Sequence, residues 1–461
     1  MTDEPIRQDA DAETAPNLLP SSRGGAKGVF ANAGIMLGGK SANTVFNLAY
    51  LAITARALGA EAFGVLVLVH TFALAVGDIA QFQSWQAVLH YGSKPAARGE
   101  RLDLQRVVRF TLLLDVISGL IGVGFAMAVA GFFGSKLGWP KGVGGAAIPY
   151  MTIVFFMVSA TPTGVLRLFG RFDLLSFQST VNSLARLIGA VIAWMIGAKL
   201  GGFLVVWYMG TVAAFVVLFG SAVREMARRD LLAGFPLLRG SLTEGFPGIW
   251  RFAIATNVNT TLEMVFTRVG VLIVGALLHS AAAAMFRIGW QVANVIAGLV
   301  KMVIGALYPE MARLWADQDH RGLWKVTVRV GLISGAVGTV LVLVAAFAGG
   351  PLLGVVLGPS FQKASEVMTW LVAAAMVNAW ALPLEPLLIS TGRAGAAVKV
   401  RIAASALYLL AIVPLVRRFG LDGAGLCSVI AALVMAAGMT IYVAPWRMRA
   451  AARTNPAPRA D

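Results

Sequence analysis

Residues 283 to 312, AAMFRIGWQVANVIAGLVKMVIGALYPEMA, make a run long and apolar enough to cross a bilayer, yet Arg287 and Lys301 lie inside it. A cation at mid-membrane costs about 2.5–3.5 kcal/mol on insertion scales, so such residues belong in a bundle interior or a wet cavity. At helical spacing Arg287, Gln291, Asn294, Gly298, Lys301 and Gly305 recur at steps of three and four, drawing one polar stripe along most of the helix. The stripe reads as a substrate or ion path. The alternative is that both cations snorkel from the helix ends or pair structurally.

The rest of the chain agrees with a membrane setting. Hydrophobic residues make up 58% and charged residues 13% of its 461 positions, a balance no soluble globular protein shows. Apolar runs of helix-spanning length recur nearly throughout, where a barrel would show weak ten-residue alternation. The formal charge of +16 is scattered through connecting loops, which argues against a nucleic-acid partner. With one cysteine, Cys427, and four dispersed histidines, neither a disulfide framework nor a metal centre is expected.

Read in order, residues 1–27 form a polar, proline-punctuated tail, and six spans follow within 28–223. The second span is expected to end near residue 85, before a basic loop over 86–107, and the fourth to be broken at Pro162. A polar stretch over 224–248 reads as a linker, a second set of six spans fills 249–446, and 447–461 is a tail. Gly170-Arg171 stands to Gly201-Gly202 as Gly392-Arg393 stands to Gly423-Ala424-Gly425, a weak repeat at half-chain spacing. The fold expected is therefore an all-α polytopic membrane protein, with about twelve transmembrane helices in two pseudo-symmetric six-helix lobes around a central cavity. Most Lys and Arg fall in the tails and the loops on their side, which predicts that both termini are cytoplasmic.

Polar residues concentrate in the first two spans of each lobe. Lys40, Asn43 and Asn47 share a face of the first span, and Asp78 lies on the second. In the seventh, Asn257, Thr261 and Arg268 form one stripe with Glu263 on the adjoining face. With Arg287, Gln291, Asn294 and Lys301 on the eighth, these residues outline a mostly cationic lumen suited to a phosphate or diphosphate group. Asp78 and Glu263 are the candidates for coupling to an ion. Glu263 could equally tie the bundle together by pairing with Lys40 or Arg287, and Asp115 and Arg186 read as helix braces. No catalytic signature, P-loop or dinucleotide fingerprint is present.

The segments TARALGAEAFG (54–64), FQSWQAVLHYG (82–92), LHSAAAAMFRIGWQVA (278–293), YPEMARLW (308–315), VLGPSFQKASEVMTWL (356–371), STGRAGA (390–396) and RRFGLDGAGLCSVIA (417–431) carry a likeness. Through them the chain resembles the polysaccharide and lipopolysaccharide biosynthesis flippases, relatives of the lipid II flippase and of multidrug exporters. The resemblance implies alternating access to a polyprenyl diphosphate-linked oligosaccharide in a bacterial inner membrane, without catalysis or a cofactor. Sodium, protons or the membrane potential are open as the driving force. Implied partners are the bilayer and the polymerase and glycosyltransferases of the pathway. One departure stands out: Leu278-His279 occupies a turn where the family often has Leu-Gly. Three other readings compete, a multidrug or cation antiporter of the same superfamily, a membrane glycosyltransferase or ligase, and a purely structural assembly partner for polysaccharide enzymes. The first would want an acidic lumen, the second a large outer loop.

Overall fold

The computed structural model describes residue 18 and residues 25–140, 142–235, 246–264, 268–391 and 393–454. Side chains within 25–42 and 299–310, and that of Glu263, lie outside the description, so Lys40, Glu263 and Lys301 are placed only as helical backbone.

Every regular element among the described residues is helical. The N-lobe comprises α1 (Gly25–Ala80), α2 (Ser84–Arg98), α3 (Arg101–Phe133), α4 (Gly144–Tyr150), α5 (Ile153–Met157), α6 (Ala160–Leu168), α7 (Phe172–Met195) and α8 (Leu200–Ala227). The C-lobe comprises α9 (Ile249–Met264), α10 (Gly270–Leu277), α11 (Ser280–Ala316), α12 (His320–Leu357), α13 (Ala364–Ala381), α14 (Leu384–Ser390) and α15 (Ala394–Thr454). Seven stretches among the described residues are long and apolar enough to span a bilayer, and two of them double back, at Gly59 in α1 and at Gly420 in α15. Together with α7, α9–α10 and α11, the elements that carry most of the polar residues, the crossings reach about twelve.

The second span departs from expectation. Helix resumes at Ser84 after a break at Gln81-Phe82-Gln83 and continues to Arg98, so the connection to α3 is only Gly99-Glu100. Lys94, Pro95 and Arg98 suggest a loop, but Ala87, Val88, Gly92 and Ala96 on the opposite face are buried against α3 and α6, and that packing holds the helix. The fourth span is broken at Val158-Ser159 and not at Pro162, which sits in the first turn of α6 where a missing N–H costs nothing. Leu18, from the segment read as a tail, is buried and bonded to the Ala96 carbonyl, and α15 stays helical to Thr454.

α1 lies at the centre. Its most apolar window is 78% buried, against 28% for α3 and 22% for α12, whose Phe125, Phe132, Val340 and Phe347 point outward as lipid-facing groups. Within the N-lobe α1 packs on α7 and α3; within the C-lobe α13 packs on α11, α12 and α15; α1 and α11 join the lobes.

At the end of the bundle away from the termini, here the distal end, the lobes meet almost backbone to backbone. A Cβ on Gly64 would overlap the Ser280 carbonyl, and one on Gly138 the Gly275 carbonyl. Phe63 packs edge-on against Phe361, and Arg56 donates to the Val355 carbonyl. The turn at Leu278-His279 differs from its N-lobe counterpart at Leu58-Gly59. Gly59 takes a left-handed φ of 70°, whereas His279 is extended and its Nδ1 accepts the Ala282 N–H, capping α11. At the other, proximal end α9 leans on α2, with Phe252 stacked on His90 at 5.0 Å and Trp250 edge-on to Phe110.

Candidate functional site

Arg287 lies in the second turn of α11, its guanidinium 5.1 Å from the Trp290 ring centre. No carboxylate pairs with it among the described residues. Gln291 and Asn294 follow on the same face, half-buried, with side-chain amides that have no protein partner among the described residues. Arg287 lies within electrostatic range of both Arg268 and Arg186, and the same three guanidiniums act on His70. Arg268 at the α9–α10 break and Arg287 on α11, both in the C-lobe, therefore lie near Arg186, which is buried inside the N-lobe.

Arg268 has a partner. Its Nε lies 3.0 Å from Asp78 Oδ2, an ion pair that joins the C-lobe to α1. Residues 268 and 269 form a π-helical turn, a local widening common where a helix serves a site. Asn257 is engaged as well: its amide donates to the carbonyls of Ile79 and Gln81 at 2.9 and 3.2 Å. Carbonyls at a helix end lack intrahelical partners, so Asn257 caps the broken end of α1 from across the lobe boundary.

Asn43 and Asn47 face α7. Asn47 donates to Asn43 Oδ1 at 3.1 Å, and Asn43 in turn accepts from Ser183. One turn further along α7, Arg186 is 7% exposed, donating to Tyr50 Oη at 3.2 Å and Thr211 Oγ1 at 2.9 Å while lying over the Tyr50 and Trp207 rings. Buried His70 packs edge-on to Trp207 and bonds Tyr150 Oη through Nδ1 at 2.7 Å. Beside this network Leu74, Asp78, Gln81, Gln178, Asn182 and Thr211 line a cavity of about 220 Å³ inside the N-lobe.

Asp115 braces helices, and does so twice. One carboxylate oxygen accepts from Ser84 Oγ at 2.6 Å and the other from the Thr161 N–H at 2.7 Å, at the starts of α2 and α6. Both are helix N-termini, where orphan donors and the positive end of the dipole favour an anion.

The N-lobe network around Arg186 is the part that sequence reasoning passed over. Its signal was present: Gln178, Asn182 and Arg186 recur at steps of four along α7, the same spacing that singles out α11.

A two-lobed bundle of membrane-spanning helices defines an all-α polytopic membrane protein. The same fold is seen in a multidrug resistance transporter of the MATE family in its inward-facing conformation (TM-score 0.71, 13% identity, 90% of this chain and 96% of that one). It is seen again in the lipid II flippase MurJ in an inward closed conformation (TM-score 0.65, 12% identity, 89% and 87%). Residues 29–315 match the polysaccharide biosynthesis protein family, and the chain belongs to that family. Inner membrane protein YghQ of Escherichia coli (strain K12) is 28% identical over 329 residues, covering 71% of this chain and 91% of that protein.

Proposed function

We propose that the protein is a flippase, carrying lipid diphosphate-linked oligosaccharides from the cytoplasmic to the outer leaflet of a bacterial inner membrane for O-antigen, capsule or exopolysaccharide synthesis. One observation carries the reading: Arg287 is a cation held between the lobes with no carboxylate partner among the described residues, flanked by Gln291 and Asn294. A partly buried guanidinium without a counter-ion is costly, and a diphosphate would supply the missing charge with bidentate geometry. Family membership and the fold shared with a lipid II flippase support the same direction. A cationic drug would want free carboxylates in the lumen, whereas Asp78 is already on Arg268.

With both termini cytoplasmic, an inside-negative potential favours outward movement of the anion by about 2.3 kcal/mol per charge per 100 mV. The protein then works by positioning and moving its cargo, and makes or breaks no bond in it.

The test is transport of a fluorescent undecaprenyl diphosphate-linked sugar in proteoliposomes, read by quenching of the lipid in the outer leaflet. Arg287→Ala should slow flipping by about a hundred-fold, and Arg287→Lys, which keeps charge but not the fork, by about ten-fold. Wild-type rates in well-folded Arg287→Ala protein would sink the proposal.

A further inference from the structure

The N-lobe cavity is not explained by diphosphate binding. Its polar wall comes from four places: Asp78 and Gln81 at the end of α1, Ser159 at the start of α6, Gln178 and Asn182 on α7, and Thr211 on α8. Phe156 and Phe215 close one side, edge-on to each other at 5.4 Å. Asn182 lines the cavity, while its Oδ1 is buried beside Gly210 without a hydrogen-bond partner.

Three properties narrow what could fill it. Asp78 is balanced by Arg268, so the cavity calls for a neutral guest and not an ion. At about 220 Å³ it falls below the roughly 300–1,000 Å³ of a drug-sized pocket, so it suits one small ring. Side-chain amides, hydroxyls and a carboxylate offer both donors and acceptors, which matches the hydroxyls of a sugar, while the phenyl rings match its C–H face.

We infer that this cavity is a subsite for a single neutral sugar ring, the one joined directly to the diphosphate. Location supports that assignment. Asp78 lines the cavity and also touches Arg268 of the cationic cluster, so the two subsites share a wall. Asp78 then reports occupancy between them: a phosphate that takes Arg268 releases a carboxylate edge to accept from a sugar hydroxyl. Arg186 stands behind the wall, fixing Thr211 by its 2.9 Å hydrogen bond.

The inference rests on the diphosphate reading, and one titration separates the two. Full-length protein in nanodiscs is titrated with undecaprenyl diphosphate and with the same lipid bearing one glucose, galactose or N-acetylglucosamine. Wild type should bind at least one glycolipid about ten-fold or more tighter than the bare lipid. Asn182→Leu, which replaces a polar wall amide by an apolar branch of similar shape, and Gln178→Ala, which empties one wall position, should each erase that preference and leave bare-lipid affinity within about two-fold. Arg287→Ala should weaken all four lipids together. If wild type shows no preference for any of the three sugars, or both variants keep it, the sugar subsite is overturned while the diphosphate site stands. Equal loss of bare-lipid binding in the two folded N-lobe variants also overturns it. Insensitivity of every lipid to Arg287→Ala overturns the reading beneath.

Discussion

Beneath the same succession of helices, the N-lobe buries His70, Arg109, Asp115, Arg186 and Glu225, whereas the buried polar groups described in the C-lobe are the hydroxyls of Ser280, Thr327, Ser334 and Ser405. The repeat makes the contrast position by position. Setting Arg171 against Arg393 places Gln178, Asn182 and Arg186 of α7 opposite Val400, Ala404 and Tyr408 of α15, and Thr211 opposite Leu433. Only Ser183 keeps its type, as Ser405. The turn arginines still do a common job: Arg171 bonds Glu225 near the end of α8, and Arg393 bonds the Tyr442 carbonyl in α15. Duplication preserved the staples and changed the interiors. The fully buried charged groups described therefore lie in the N-lobe, whereas the polar residues of α11 in the C-lobe, Arg287, Gln291 and Asn294, are only partly buried at its surface.

That contrast can be broken by equivalent substitutions in the two lobes. Arg186→Met should be the most damaging, since it strands Thr211 and Tyr50 beside the N-lobe cavity. A loss of about 3 kcal/mol is expected, read as a lowered unfolding midpoint in detergent. Tyr408→Phe, at the corresponding C-lobe position, should cost about 1 kcal/mol. Similar losses for the pair would mean that the two interiors are energetically alike, against the asymmetry drawn here.

Asp115→Ala comes next. Removing the carboxylate leaves donors at the starts of α2 and α6 without their acceptor, for about 2 kcal/mol. Asp115→Asn, which keeps an acceptor oxygen, should recover about half of that in the same melting assay. The smallest effect is expected at the distal turn, where His279→Ala removes the cap of α11. About 1 kcal/mol is expected, with transport unchanged, and a large transport defect without loss of stability would show that this turn does more than cap.

Periodicity made much of this legible in the sequence. A stripe containing Arg287, Gln291 and Asn294 identifies the polar face of α11 because steps of three and four residues return to one side of a helix. What a stripe leaves open is the rotation of that helix against its neighbours. Asn43 and Asn47 read as lumen residues, and the stripe does not tell that Asn43 accepts from Ser183 on α7 while Asn47 donates to Asn43. Asn257 stands on the expected stripe of α9 and is taken up by the α1 carbonyls, because the break at Gln81 exposes acceptors no local pattern foretells. The continuation of the second span into α2 was hidden for a related reason. Its basic residues occupy one face, and the small residues that bury the other match a groove between α3 and α6 that exists only once those helices are in place.

The glycine contacts at the distal end bear on how a flippase of this fold would change state. Where side chains meet, a boundary can loosen by degrees as rotamers adjust. At Gly64 against Ser280 and Gly138 against Gly275 there is nothing to adjust, since main chain rests on main chain. On the flippase reading proposed above such a seam would part abruptly, and while shut it would bar the distal route by the thickness of a peptide plane. A methyl group at position 64 would act as a doorstop, so the shut form of such a flippase would depend on a hydrogen atom standing where most residues place a carbon.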